Sequence, residues 1–441
     1  MYTLSKAVTA LQLASQLNLE ERPVVSVFWV ASQDHDMDEI RSATLLGPNA
    51  EFRSVSLPFP EGLPAGRSAW NPDWTEQVDA ALAELYGEGA VAAEARALAR
   101  AAAEPEGTIA DVFARTLSAL LGPQGLIILD PTDPSVAALC KPTLLREAAS
   151  PSEGPGQIRA AGQALKEMGY RPQLGRAEDA TNLFLQREAE PRRLLRWDGR
   201  RFHPDGDNDA SLSYDDIAQI LEDDPVAVTP AAGLRPIVQD ALLPTVAVVV
   251  GPGELRYFAQ LSGVYEHHDV VMPLVWPRAT ATLLEPPAVR ILARHQLEAA
   301  TFQNKPDEML EQRILELHGH GKRFESAVAD LELQFAKLLR EVEAIDPTLQ
   351  GTVQRGRTIL ERTVEKLRGK TSAALLQRDR VTHDQFKRLR SMLLPGGQPQ
   401  ERIISPFAYF ARFGVGPIMA RMMELRASGD HALPIDPDVQ D

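Results

Sequence analysis

The sequence predicts an α/β fold with a parallel-sheet core, inserted connecting segments and a C-terminal antiparallel α-helical coiled coil. Short apolar runs that suit buried strands alternate with helical segments over the first two thirds of the chain; the clearest are Val24–Val30, Gly125–Pro131 and Thr245–Val250. In the last third, apolar residues instead step by four and three residues without a break. Because strands that alternate with helices pair in parallel, while a four-three repeat forms a coiled coil, the two regions differ in architecture.

The core elements follow one another in a regular order. Leu4, Val8 and Leu11 recur at helical spacing before Pro23, and the apolar run after Pro23 suits a strand that is buried on both faces. Turn residues and periodicity then predict a strand over 52–57, Ala-rich helices over 78–103 and 109–121, a strand over 125–131, a helix over 160–168, a strand over 181–186, a polar surface insertion over 192–224, a strand over 245–250 and a helix over 255–265.

The C-terminal helices carry a heptad repeat, whose apolar positions are Phe324, Val328, Leu331, Phe335, Leu338, Val342 and Ile345. Asp346-Pro347 interrupts it, and a second tract has apolar residues spaced by seven (Val353, Leu360, Leu367) and continues through Leu375, Leu389 and Leu393. Two long helices that meet at a proline form an antiparallel hairpin. We expect a homodimer held through residues 321–394, since one return helix leaves part of the apolar stripe uncovered. An ordinary helical bundle packed on the core is the alternative.

The pattern divides the chain into seven segments. The predicted segments are core residues 1–60, a helical insertion at 61–122, core residues 123–190, a small insertion at 191–232, core residues 233–305, the coiled-coil dimerisation domain at 306–395 and a tail at 396–441 that packs on the core.

Composition excludes several classes of protein. The 441 residues carry a net charge of −15, which argues against a nucleic-acid surface because phosphate binding needs a positive field. No apolar run approaches the ~20 residues that span a membrane, and the N-terminus does not have the pattern of a signal peptide. The one cysteine, Cys140, rules out an internal disulfide and is interpreted as a buried small hydrophobe rather than a nucleophile. We therefore expect a soluble cytoplasmic protein.

The first candidate site is Asp34-His35-Asp36, directly after the strand at 24–30. Ligands of open α/β sheets bind beyond the carboxyl ends of strands, and a histidine between two carboxylates suits acid–base chemistry. The alternative is that Asp34 or Asp36 caps a helix.

The second candidate is the turn between the strand at 245–250 and the next helix. Gly251 and Gly253 let a ligand approach the backbone there, whereas Glu254 would repel a phosphate but would suit an amino group. A tight turn that merely starts a helix is the alternative. Arg235 and Arg278 each lie at a strand boundary, where a guanidinium suits carboxylate recognition.

No metal site is expected. His267 and His268 are adjacent on a predicted helix and therefore point in different directions, and His318 and His320 flank a glycine. We favour a role for the adjacent pair at the helix C-terminus, where cations are favourable.

Several segments, taken in order, resemble one family. They are VFWVASQDHD at 27–36, LDPTDP at 129–134, ATNLF at 180–184, LRPIVQDALLPT at 234–245, GPGELRYFAQLSGVYEH at 251–267, DPTL at 346–349 and QER at 400–402. None is a widely shared motif, but together they span almost the whole chain. The sequence is similar to the cysteine-adding enzymes of bacillithiol biosynthesis.

The resemblance implies a Rossmann-like core with two connecting insertions and a coiled coil that mediates homodimerisation. It also implies that cysteine is added to glucosaminyl malate in the last step of bacillithiol biosynthesis, with ATP or another nucleotide as the candidate source of activation. An activated carboxylate must then be attacked by cysteine's amine, with a general base nearby. His35 would be the general base or a phosphate contact, and Glu254 would receive an ammonium group. The full set comprises the catalytic residues Asp34, His35 and Asp36 and the substrate-binding residues Asn182, Arg235, Gly251, Gly253, Glu254 and Arg278.

Members of the family carry a strand and a glycine-rich turn before the helix that starts here at Tyr2. We therefore expect this sequence to lack that first strand and loop, and a catalytically impaired dimeric scaffold is the alternative function. If the chain is an enzyme, the segments at 34–36, Asn182 and 251–254 form one pocket, because the ends of parallel strands converge.

Overall fold

The computed structural model describes residues 1–187, 190–207 and 210–435, and these form two units. The first unit contains residues 1–281 and 404–431, and the second contains residues 282–403 and 432–435. The described strands, in chain order, are β1 (Ser26–Trp29), β2 (Ser42–Leu46), β3 (Phe52–Ser56), β4 (Leu126–Leu129), β5 (Ala180–Leu185), β6 (Arg193–Trp197), β7 (Phe202–Pro204), β8 (Val228–Pro230), β9 (Ala247–Val250), β10 (Leu274–Pro277), β11 (Thr280–Leu284) and β12 (Asp430–Pro434).

The described α-helices outnumber the strands. In chain order they are α1 (Tyr2–Leu17), α2 (Pro72–Tyr86), α3 (Ala90–Ala103), α4 (Ile109–Leu121), α5 (Pro134–Ala149), α6 (Glu153–Glu167), α7 (Tyr214–Asp223), α8 (Arg235–Leu242), α9 (Pro252–Phe258), α10 (Ser262–His268), α11 (Pro286–His295), α12 (Ala299–Asn304), α13 (Pro306–Leu317), α14 (Gly321–Ile345), α15 (Gln350–Arg378), α16 (Arg380–Leu393), α17 (Gln400–Ile403), α18 (Pro406–Phe413) and α19 (Val415–Met423). None of these helices is long and apolar enough to cross a membrane.

The parallel strands of the first unit form two pairs. β1 pairs with β4, with Ser26 opposite Leu126, and β9 pairs with β10, with Ala247 opposite Leu274. Helix α1 packs against both β1 and β9. Apolar runs bounded by turn residues produce these strands, as the sequence predicts, and their carboxyl ends point toward 30–36 and 251–254.

The strand β5 lies in a different sheet from the one expected. It belongs to an antiparallel sheet of order β7-β6-β5-β8, so its assignment to one parallel sheet with β1 and β9 is wrong. The segment 192–224 is likewise more than a polar surface insertion. Its apolar side chains alternate with the charged ones and enter the core, where Leu195, Phe202, Ile217 and Leu221 are completely buried.

Several helix boundaries differ from the predicted ones for local reasons. The Ala-rich stretch breaks at Gly87, whose φ of 77° no other residue adopts at low cost. The helix expected over 255–265 divides into α9 and α10. Helix α5 was not predicted; it begins with Pro134 at its first position, and the Asp133 side chain accepts from the Ser135 backbone N–H at 2.8 Å. Helix α4 has the predicted bounds.

The second unit contains the predicted antiparallel coiled coil. Helices α14 and α15 pack against each other and are joined at Asp346-Pro347, where the Asp346 side chain accepts from the Thr348 N–H at 2.9 Å. The second tract is not continuous, because Asp379 ends α15 and caps α16 through the Thr382 N–H at 3.0 Å. A separate apolar cluster in this unit joins α11, α12 and α16, with Phe302 and Leu389 at its centre.

Candidate active site

The Asp34-His35-Asp36 segment forms a tight turn after β1. The Asp34 N–H donates to the Ala31 carbonyl at 3.0 Å, and its side chain accepts from the Asp36 N–H at 3.2 Å. Asp36 precedes a short 3₁₀-helix but does not cap it with its side chain. The capping alternative is therefore wrong for both residues, since Asp34 closes the turn and does not cap a helix. The His35 ring is about one-third exposed, at 35% of its side-chain surface, and is open to a ligand.

The neighbouring strand holds this turn in place. Ser32 donates from its hydroxyl to Asp130, which follows β4, and the Ser32 carbonyl accepts from the Gly66 N–H at 2.8 Å. The Asp130 carboxylate also accepts from the Thr132 N–H at 2.7 Å. Because β1 and β4 are adjacent and parallel, their ends meet and these contacts fix the backbone that carries His35.

Arg192 contacts His35 although the two are far apart in sequence. Its Nη1 lies 3.4 Å from His35 Nδ1, and its guanidinium lies 4.0 Å from the ring centre of Phe184, which also packs against His35. Arg192 Nε donates to Thr229 Oγ1, and Nη2 donates to the Pro230 carbonyl, each at 2.9 Å. Burial lowers the pKa of Arg192 to about 10. The charge of Asp34 opposes this shift, and the charge of Arg235 adds to it.

Arg235 and Glu254 lie in the same region of charge. Arg235 donates to the Tyr257 hydroxyl at 3.0 Å and lies 3.6 Å from Glu254, and its charge also interacts with that of Asp34. Lys6, on α1, contacts Glu254 at 2.5 Å. Burial alone would raise the pKa of Glu254, but Lys6, the Gly251 N–H and Arg235 lower it overall. The carboxylate expected to receive an ammonium group is thus already paired with Lys6.

The glycine turn has the geometry of a helix start. The Gly251 N–H donates to the Glu254 side chain at 2.9 Å. This agrees with the alternative interpretation of the segment as a tight turn that starts a helix. A side-chain carbon at Gly253 would meet no other atom within 4 Å, so the backbone there is open to a ligand. A carbon at Gly251 would lie 3.8 Å from Arg278 Nε, and Arg278 is therefore adjacent to the turn.

Asn182 lies in a buried network of its own. Its amide donates to Glu147 at 3.0 Å and accepts from Arg176 at 3.3 Å, while the other oxygen of Glu147 lies 2.7 Å from His268 Nε2. Asn182 and Glu147 have no exposed surface. Two residues further along β5, Phe184 reaches His35, so the strand contributes to the site through a different side chain.

Within the described residues one group of side chains could hold a metal ion. Glu147, His267 and His268 bring their ligand atoms within 4.8 Å of one another. The sequence did not predict this, because adjacent histidines on a helix were expected to point in different directions. His267 Nε2 lies 2.9 Å from the Ser150 hydroxyl, and His268 is engaged with Glu147. Hydrogen bonds to Ser150 and Glu147 thus explain the positions of the two histidines without a metal ion.

The sequence predicted that His35, Arg235 and Glu254 belong to the site, but it did not predict Lys6 or Arg192. The first three follow strands or precede helices of the core, where ligands bind. Arg192 was assigned to a polar surface segment, and no local pattern marks it. Only its contacts with β5, β8 and His35 reveal it.

Comparison with known proteins gives a consistent result over the whole chain. Residues 1–279 match the N-terminal Rossmann-like domain of the bacillithiol-biosynthesis protein BshC, and residues 281–432 match its C-terminal coiled-coil domain. A protein from Thermus thermophilus, whose name describes it as a proposed cysteine ligase, BshC, is 36% identical over 98% of this chain and 84% of its own length.

More distant relatives carry the same name. The protein from Salinibacter ruber is 32% identical over 94% of this chain and 76% of its own length. That from Geobacillus thermodenitrificans is 29% identical over 94% of this chain and 77% of its own length. With both family domains matched in order and relatives aligned along nearly the full chain, this protein belongs to the BshC family of bacillithiol biosynthesis.

Proposed function

We propose that this protein is a cysteine ligase that joins L-cysteine to glucosaminyl malate in the last step of bacillithiol biosynthesis, in the cytoplasm. Membership of the BshC family and the names of its relatives support the ligase assignment. The scaffold alternative gains nothing from these comparisons.

The observation that carries the proposal is the charge around His35. Three cationic side chains, Lys6, Arg192 and Arg235, converge on the ends of β1 and β9 from distant parts of the sequence. Guanidinium groups bind carboxylates and phosphates well because their donors form a planar fork. The malate part of the conjugate carries such carboxylates, so this region suits its recognition.

The chemistry requires an activated carboxylate and a free amine. From the sequence we expected cysteine's amine to attack; we infer instead that cysteine supplies the carboxylate and that the amino group of glucosamine attacks it. The malate carboxylates are then free for the arginines. The carboxylate must lose one oxygen, and ATP or another nucleotide is the candidate acceptor of that oxygen. The proposed catalytic residues are Asp34, His35 and Asp36, and the proposed substrate-binding residues are Arg235, Gly251, Gly253, Glu254 and Arg278. Asn182, which the sequence also suggested, is completely buried and is not proposed to contact substrate.

We also propose that the coiled coil makes the protein a homodimer. Its apolar seam stays partly uncovered when α14 and α15 pack together, with Leu338 44% and Ile345 81% exposed. An apolar stripe of this kind suits a second copy of the same hairpin.

The test of the ligase assignment is product formation. The protein is incubated with cysteine, glucosaminyl malate and ATP, and the amide product is detected by mass spectrometry. We expect turnover by the wild type, a loss of about 10²-fold in kcat/KM for Arg235→Ala because a charged contact to the substrate is removed, and no change for the exposed Arg290→Ala. Absence of turnover by the wild type would favour the scaffold alternative.

A further inference from the structure

Arg192 is held rigidly beside His35. Two of its nitrogens donate to Thr229 Oγ1 and to the Pro230 carbonyl at 2.9 Å, and its guanidinium covers the Phe184 ring. The remaining nitrogen, Nη1, is directed at His35 Nδ1 at 3.4 Å. No carboxylate lies within ion-pair distance of Arg192 among the described residues, so its position is set by β5, β8 and His35 rather than by an acid.

This contact determines which nitrogen of His35 carries the proton. A guanidinium can only donate, so the Nδ1 that faces it must present a lone pair. Asp34 lies 4.0 Å from the same Nδ1, beyond hydrogen-bond range, and cannot stabilise an N–H at that position. The proton of the neutral ring is therefore on Nε2.

Burial and the nearby arginine favour the neutral form of the ring. Burial and Arg192 lower the pKa of His35 below its ordinary value, while the two aspartates of its own turn, Asp34 and Asp36, oppose them. Arg235, on α8, interacts with both Arg192 and Asp34 and adds a second cation to this region.

We propose that Arg192 is a positioning residue that holds His35 as its Nε2–H tautomer, so that His35 faces the reacting carboxylate as a hydrogen-bond donor and not as a general base. The role at the carboxylate rests on the ligase function proposed above. When the amine adds to the activated carbonyl, negative charge develops on oxygen, and a fixed N–H stabilises that charge. A base at Nδ1 is excluded because the lone pair there faces a cation. Of the two roles considered for His35, the geometry selects the anion contact.

The tautomer is measured on the free protein, without turnover. Protein labelled with ¹⁵N on its histidines gives long-range ¹H–¹⁵N spectra that distinguish the two tautomers, and His35→Gln identifies the His35 signals among those of nine histidines. Near pH 8 we expect the Nε2–H form in the wild type and in Arg192→Lys, and a mixture in Arg192→Met. An Nδ1–H form in the wild type would overturn the proposal whatever the variants do.

Kinetics test the donor role separately. A glutamine side chain can donate near the position of Nε2 but cannot act as a base. We therefore expect His35→Gln to retain at least about tenfold more kcat than His35→Ala, since one oxyanion donor is worth about 10²–10³-fold. Because protonation at Nδ1 leaves the Nε2–H in place, the pKa of His35 should set no acidic limb of kcat/KM, whereas a general base would set one. Equal losses in the two His35 variants would refute the donor role. An Nε2–H tautomer in a protein without turnover would instead refute only the ligase function.

Discussion

The helical hairpin and the charged site at the strand ends are built in opposite ways. Helix α14 runs for 25 residues without one buried side chain, and α15 buries only Ser372 in 29. The site instead gathers Lys6, His35, Arg192, Arg235 and Glu254, mostly from separate elements of the first unit, and satisfies them with contacts across the sequence. A repeat that depends on local spacing can be recognised in the sequence, whereas a site that depends on long-range packing can be recognised only in part.

The largest effect we expect is on catalysis and separates chemistry from folding. His35→Ala should lower kcat by about 10²–10³-fold, because one preorganised donor to the developing oxyanion is lost. Its partly exposed side chain supports no core, so thermal unfolding should be nearly unchanged. Steady-state turnover and calorimetry on the same preparation check both. Full activity in the variant would remove His35 from the mechanism.

The second effect concerns the buried network beside the site. His268→Ala leaves Glu147 buried without one of its partners, and breaking such a pair costs about 3–5 kcal/mol of unfolding free energy. The matched control is His203→Ala, whose partner Asp198 is half-exposed, and it should change stability little. Denaturant titration measures both. If His268→Ala lowers the free energy of unfolding only slightly, the buried network is not a source of stability.

The third effect concerns the hairpin. Replacing Leu331 and Leu338 together with Asp places charges on the apolar seam and should convert the proposed dimer to monomers by light scattering. Leu333→Asp carries the same kind of change at an exposed position off the seam and should leave the dimer intact. A dimer that survives the double substitution would locate the interface elsewhere.

The smallest effect concerns Cys140. Burial raises the pKa of this thiol to about 11, so at pH 8 only about one thiol in a thousand is ionised. A thiol-specific chromogenic reagent should therefore react slowly with native protein and rapidly after unfolding, and Cys140→Ala should keep its turnover. Fast reaction in the native state would reopen a nucleophilic role for this residue.

The fold and the site could be predicted from the sequence only in part. The proline corner of the hairpin, helix α4 and the strands after Pro23 and before Gly251 followed from local spacing and turn residues. The antiparallel placement of β5 did not, because a short apolar strand carries no mark of its partner. Arg192 was not predicted for the same reason, because what makes it part of the site is a 3.4 Å contact with His35, much earlier in the chain.

The most direct test of the central claim is a crystal structure of the protein with glucosaminyl malate. We predict that its carboxylates bind to Arg192 or Arg235, beside His35 at the carboxyl ends of β1 and β9. Binding of the conjugate to another surface, with these side chains left unengaged, would contradict the account.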